Sequence, residues 1–331
     1  MHTDRNSLAR RGLANSTFFM TTRTRFSFLG IDGHGGILLG KNILAPSRFL
    51  LSQYVKMLHQ YAHRLAPTHS AAQVNYWRRV IEMTIGSIVR NRPVLVLYGL
   101  MIISLAALLP LPPLLQDQNY HQFADQRNLF GIPNFWNVVS NLPFIAVGAA
   151  GLLRLRRDST TTVLFSGIFL TGFGSSYYHL NPNDYTLFWD RLPMTLCFAA
   201  ILAAVVEERV DARAGAMLLR PLLAIGIFSL LLWRWTDDLR LYAWAQFFPF
   251  LAVLLILQLF SPKYTGTVYW VIAAALYALA KVVEFYDDAI FSAGSFLSGH
   301  TLKHLAAAAA GFAILRLFQT RRPINGVAGN D

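Results

Sequence analysis

The chain has 331 residues, of which 54% are hydrophobic and only 14% charged, a composition that leaves too little polar surface for a soluble globular protein of this length. Its formal net charge of +12 is concentrated at one end, since residues 1–92 hold 13 of the 29 Lys and Arg and 3 of the 17 Asp and Glu, or +10 of the total. Such an arm suits anionic lipid headgroups, no groove-reading motif accompanies it, and so no nucleic-acid partner is expected.

In chain order, residues 1–92 read as a basic N-terminal extension whose apolar runs are all too short to span a bilayer. The segment does not read as a secretory signal, because its apolar stretches lie too far from Met1. Gly33-His34-Gly35-Gly36 lacks the strand and helix that would frame a phosphate loop, and the spaced pair His59 and His63 reads as a surface coincidence. Eight apolar spans then follow, at about 93–113, 135–153, 161–180, 187–206, 217–233, 239–260, 266–286 and 299–318. The alternation of a membrane barrel is absent. The expected fold class is therefore all-α, a polytopic transmembrane helix bundle embedded in lipid, with short connections between antiparallel neighbours.

The loops give the orientation. Arg154, Arg156 and Arg157 follow span two, Arg209 and Arg213 span four, Lys263 span six, and Arg321 and Arg322 span eight. The opposite loops carry Asp117 and Asp125 with Arg127, then Asp184, then Asp237 and Asp238 with Arg234 and Arg240 in a mixed loop, and then Asp287 and Asp288, so Lys and Arg favour one side. By the positive-inside rule both termini face the cytoplasm.

Of nine histidines, six lie at or before position 121, and the other three, His179, His300 and His304, fall in spans. His179 ends span three and His300 and His304 begin span eight, so all three come to one depth near the non-cytoplasmic face. His300 and His304 are four apart and project from one helical face. Three neutral imidazoles suit Zn²⁺ with a fourth position left for water, whose pKa the ion lowers to about 7. Ser175 lies one turn before His179 on its face, and Asp190 stands at the outward end of span four. A carboxylate at that depth needs a partner or a task. The single cysteine, Cys197, allows neither an internal disulfide nor a thiolate metal cluster. Lys281 and Glu284, three apart in span seven, read as an internal ion pair, Lys303 as snorkelling to the interface, and Arg234, Asp238, Arg240 and Gln246 as a rim of the site.

These residues resemble a family pattern. Ser175-Ser176-Tyr177-Tyr178-His179, Asp190 eleven positions later, and His300-xxx-His304 in the last span are similar to the alkaline ceramidases, members of a superfamily of membrane hydrolases that includes the progestin and adipoQ receptors. Asn134-Phe135-Trp136-Asn137-Val138-Val139-Ser140-Asn141-Leu142 and Trp189-Asp190-Arg191-Leu192-Pro193-Met194 extend the likeness. It covers about 125–318 and implies a seven-helix core at 125–320, preceded by one extra transmembrane helix and loop at 93–124 and followed by a short tail at 321–331. It also implies a zinc-dependent amidase acting on ceramide-like N-acyl lipids, which releases a fatty acid and a sphingoid-type base. His179, His300 and His304 would be the metal ligands, Asp190 the proton carrier and Ser175 the hydroxyl beside the oxyanion, with substrate entering from the bilayer. Animal members carry an acidic Ca²⁺ site where this chain has Asp125-Gln126-Arg127-Asn128 and Asn134. With one carboxylate left among Asp125, Asn128 and Asn134, that remnant is not expected to hold Ca²⁺. Two rival readings remain open: a non-catalytic zinc-binding receptor or sensor of the same superfamily, and a transporter with Asp190, Lys281 and Glu284 on an ion path.

Overall fold

The computed structural model describes residues 75–81, 83–84, 86, 92–155, 158–294 and 296–324. The His59 and His63 pair and most of the basic extension lie outside them. Ten α-helices and one 3-10 turn follow Arg92 among the described residues: α1 Pro93–Ala106, the 3-10 turn Gln118–His121, α2 Phe135–Val139, α3 Leu142–Arg154, α4 Ser159–Leu180, α5 Asp184–Arg209, α6 Ala212–Thr236, α7 Arg240–Leu259, α8 Thr267–Phe285, α9 Asp287–Gly294 and α10 Gly299–Thr320. Among the described residues there is no strand, only the isolated bridges Leu129 to Ile132 and Tyr264 to Pro323.

Six helical segments are long and apolar enough to cross a membrane: Phe135–Arg154, α5, α6, α7, α8 and α10. The chain is therefore an all-α bundle of the multi-pass membrane type. With 22 residues, α4 is also of spanning length, about 33 Å at the helical rise, but its Ser, Thr and Gly make it more polar. α1 is apolar but has only 14 residues, against the 21 expected for span one. Pro110 explains the early stop, because its ring would clash with the carbonyl of Ala106 in a continuing helix. Span two is divided. Ser140 and Asn141 interrupt it between α2 and α3, and Pro143 starts the second piece.

α5 is the central element and packs against α4, α6 and α7, while α10 packs against α8 and α3. Leu202, Ala203, Val205 and Val206 of α5 are wholly buried. The outer faces carry exposed large apolar residues such as Leu251, Val271, Leu279 and Phe312. This is the inverse of a soluble surface and matches lipid as the surrounding solvent. Two glycines allow close approaches that shape the site. A Cβ on Gly174 would stand 2.2 Å from the carbonyl oxygen of Trp189, and one on Gly299 would stand 2.0 Å from that of Val283. The first brings α4 against α5 beside Ser175 and Asp190. The second seats the start of α10 against α8.

At the far end from His300, a buried ionic cluster holds the bundle. Glu208 accepts from Arg209 at 3.3 Å, Arg321 at 3.2 Å and the Trp270 indole at 3.3 Å. Arg209 also donates to the Phe260 carbonyl and the Thr267 hydroxyl. Counted in the sequence with the loop charges, Arg209 is in fact buried and fully employed in capping neighbouring elements.

Candidate metal centre

The end of α4 and the start of α10 bring His179, His300 and His304 into one group whose ligand atoms all lie within 4.8 Å of one another, among the described residues the only such group of three or more potential ligands. All three side chains are buried. Their ring centres are 4.9 Å apart for His179 with each of the others and 5.0 Å for His300 with His304. The Nε2 atoms of His179 and His304 approach to 3.3 Å. Nδ1 of His179 and Nε2 of His300 are buried without a hydrogen-bond partner. Buried ring nitrogens are normally satisfied, and an ion met by the Nε2 atoms of His179 and His304 would satisfy Nε2 of His300 but not Nδ1 of His179, which lies on the other side of its ring.

The surrounding residues orient the rings. His304 Nδ1 meets the Ser140 hydroxyl at 2.8 Å, and that hydroxyl is also 3.2 Å from the carbonyl of Asn137, to which it donates. The break between α2 and α3 places Ser140 there. Thr301 donates to the side chain of Asn137 at 2.8 Å, and Asn134 donates to the His179 carbonyl at 2.8 Å. Asp287 accepts from the His300 backbone N–H at 2.6 Å and from that of Ala124 at 3.0 Å, which ties the start of α10 to the loop between the 3-10 turn and α2. The Phe123 ring covers the group, 4.6 Å from the ring centre of His179 and 4.7 Å from that of His300.

Ser175 and Asp190 are buried, face each other as hydrogen-bond partners, and line one cavity together with His304. That cavity has a volume of about 370 Å³. Its polar end carries Tyr120, Arg191, Lys281, Glu284 and Lys303, and its apolar depth runs past Phe198, Phe250, Gly311 and Ile314 to Trp270. Glu284 binds Lys281 and Lys303 at 2.8 Å each and accepts from Tyr120 at 3.2 Å. Burial pushes the Tyr120 phenol well above its ordinary pKa, so it remains a donor. The Lys281 and Glu284 pair is as expected. Lys303 is not a snorkelling residue: with Glu284 facing it across the α8 and α10 contact, pairing inward wins over reaching the interface.

Of the rim residues, Gln246 lines the cavity and donates to Tyr277 at 2.7 Å. Asp238 and Arg240 instead bind each other at 2.7 Å and hold the segment after α1, through Leu114 N–H and the carbonyls of Leu108 and Leu111. Arg234 stands in the last turn of α6.

The three residues expected as a calcium-site remnant do not converge on one point. The carboxylate of Asp125 is taken up by Arg127, with Nη2 at 2.6 Å and Nε at 2.8 Å, and Arg127 also donates to the carbonyl of Phe296. That bond to Asp125 raises the Arg127 guanidinium above its ordinary pKa. Asn134 is turned to His179, and Asn128 is exposed.

The sequence reading missed Ser140, Phe123 and Asp287 as parts of this centre. Ser140 stood in the motif-bearing segment that opens span two, which was the available signal. Phe123 and Asp287 carry no local pattern that marks them.

Comparison with known proteins gives two findings. The family description "Ceramidase" matches residues 130–324. No curated protein matches the chain.

Proposed function

The chain belongs to the ceramidase family, and on that premise we propose that it is a zinc-dependent hydrolase of the amide bond in ceramide-like N-acyl lipids. The observation that carries the reading is the separation of the His179 and His304 Nε2 atoms. Two nitrogen ligands at tetrahedral angles, with bonds of 2.0–2.1 Å to zinc, stand about 3.3 Å apart, and the distance between these atoms is 3.3 Å. The orphaned Nε2 of His300 adds to the fit. The donor set, three imidazoles and no thiolate, suits zinc with one open position.

A zinc ion held by His179, His300 and His304 supplies Lewis acidity toward the amide carbonyl and makes water acidic near neutral pH. The chain's own groups do the rest. Asp190 takes the proton of the attacking water as its oxygen bonds to the amide carbon. Ser175 donates to the oxygen of that carbon as negative charge develops there. When the carbon–nitrogen bond breaks, Asp190 returns the proton to the leaving amine, which leaves a carboxylate and a free sphingoid-type base. The apolar depth of the cavity holds an alkyl chain and keeps bulk water away, while the polar end meets the headgroup. In this reading residues 125–320 form the hydrolase domain, 93–124 an added membrane segment and 1–92 a basic arm at the cytoplasmic surface. The site then lies near the non-cytoplasmic face, and substrate comes from the bilayer.

The test combines metal analysis with a panel of lipid amides. Wild-type protein is expected to contain about one zinc per chain and to cleave N-acyl sphingoids. Asp190→Asn is expected to retain zinc and lose roughly 10²–10⁴-fold in turnover, the range general acid–base catalysis supplies. His300→Ala is expected to lose both. Zinc-loaded protein that cleaves no lipid amide or ester would overturn the reading.

A further inference from the structure

Arg191 follows Asp190 in sequence and lines the same cavity. Its guanidinium lies 4.7 Å from the ring centre of Trp233, 4.9 Å from that of Tyr242 and 5.5 Å from that of Tyr120. The residue is 7% exposed, and its Nη1 is buried without a hydrogen-bond partner. Among the described residues no carboxylate forms an ion pair with it. Aromatic faces attract a guanidinium but accept nothing from the N–H groups in its plane. A buried charge without an opposite charge is costly. The clamp therefore holds ready a rigid fork of donors whose matching partner is a planar oxyanion.

The remaining charges on the cavity wall agree. Lys281 and Lys303 share the single carboxylate of Glu284, and Asp190 hydrogen-bonds Ser175 and feels the charges of Lys303 and Arg191 without forming an ion pair with either. The wall carries three cations against two carboxylates, a surplus of one positive charge, and Arg191 is the cation among them that has no ion-pair partner among the described residues. A cation in the histidine group would add to the surplus.

We propose that Arg191 is an oxyanion receptor at the polar end of the cavity, built to bind the carboxylate of a long-chain lipid. The identity of that ligand rests on the lipid-amidase reading. A carboxylate could arrive there as the acid released by cleavage, or as a substituent on the amine half of the substrate. Both sources present the same chemistry to Arg191.

Binding tests the receptor without requiring turnover. Purified full-length protein in detergent at pH 8 is titrated with palmitate and with hexadecanol, which share a chain and differ in headgroup. Wild type is expected to bind palmitate at least tenfold more tightly than hexadecanol, and Arg191→Gln is expected to lose that difference. Arg191→Lys keeps the charge but not the fork, and is expected to bind palmitate at least threefold more weakly than wild type. Should the Gln variant fail to fold, the Lys variant decides. Unchanged palmitate affinity in the folded variant overturns the proposal. Hydrolysis of N-palmitoyl amino acids and N-palmitoyl sphingosine then separates the sources. A loss of kcat/KM confined to the acidic substrate in Arg191→Gln places the carboxylate on the substrate. Relief of inhibition by palmitate, with both substrates equally affected, places it on the product. If wild type discriminates palmitate through Arg191 yet cleaves neither amide, the lipid-amidase reading fails and the receptor stands.

Discussion

The Nε2 atoms of His179 and His304 meet at 3.3 Å although 125 residues separate them in the chain. The tautomer of His304 explains how both can present lone pairs to one point. The Ser140 hydroxyl donates its hydrogen bond to the Asn137 carbonyl, so its oxygen accepts from Nδ1–H of His304. Nδ1 then carries the proton, and Nε2 is left as an acceptor directed at His179.

That chain of bonds makes Ser140 a positioning residue. Ser140→Ala removes the acceptor and frees the ring to rotate or change tautomer. Loss of the outer partner of a histidine ligand typically weakens metal binding 10–100-fold. Competition with a zinc chelator is expected to show a loss of that size with the helical circular dichroism unchanged. Undiminished zinc affinity would mean that packing alone fixes the His304 ring.

Arg127 neutralises Asp125, the one carboxylate of the expected calcium-site remnant. Its two bonds to the carboxylate occupy the oxygens that Ca²⁺ would need. Calcium added to zinc-loaded, calcium-free protein is therefore expected to leave turnover and Tm unchanged up to millimolar concentration. A saturable rise in either would show that calcium displaces the guanidinium.

What could be read from the sequence follows from how far apart the cooperating residues lie. The His300 and His304 pair is local, so helical periodicity alone put both rings on one face, and the hydropathic spans brought His179 to the same depth. Asp190 was visible because a carboxylate in an apolar span is costly. The positions of Phe123 and Asp287 depend instead on a loop folding back onto α10, and neither periodicity nor composition encodes that contact. Lys303 shows the same limit: the partner that turns it inward, Glu284, lies 19 residues away on α8. Pro110 could have shortened span one, but an apolar window passes over a proline that a helix cannot.

Asp238 gives the bundle an acid-sensitive latch. Its carboxylate accepts from Arg240, which is the main reason it is held below the usual carboxylate range, and from the backbone N–H of Leu114. A folded-state pKa lower than the unfolded one adds stability that is fully present above the unfolded value of about 3.9 and fades as pH falls through the folded value. Asp238→Asn is therefore expected to lower Tm at pH 7. The gap between variant and wild type should narrow as pH falls below about 4. A gap that stays constant into acid would show that the loss comes from packing and not from the ionised carboxylate.

Gly311 offers a way to measure the cavity with substrate. It lines the apolar depth seven residues beyond His304 on α10, about 10 Å along the helix at 1.5 Å per residue. The nearest atoms a Cβ there would meet belong to the side chains of Ile168 at 3.4 Å and Val147 at 3.6 Å, ordinary contact distances, so a small addition is accommodated without moving backbone. Gly311→Ala is expected to fold and to retain zinc. Gly311→Leu projects further toward Ile168, itself a wall residue, and shortens the space available to an alkyl chain. If the chain lies in this cavity during cleavage, the leucine variant should lose activity on long-chain amides while keeping it on short-chain ones, with the cost appearing mainly in KM. An equal loss at every chain length would place the alkyl chain elsewhere, on the lipid-facing surface of the bundle.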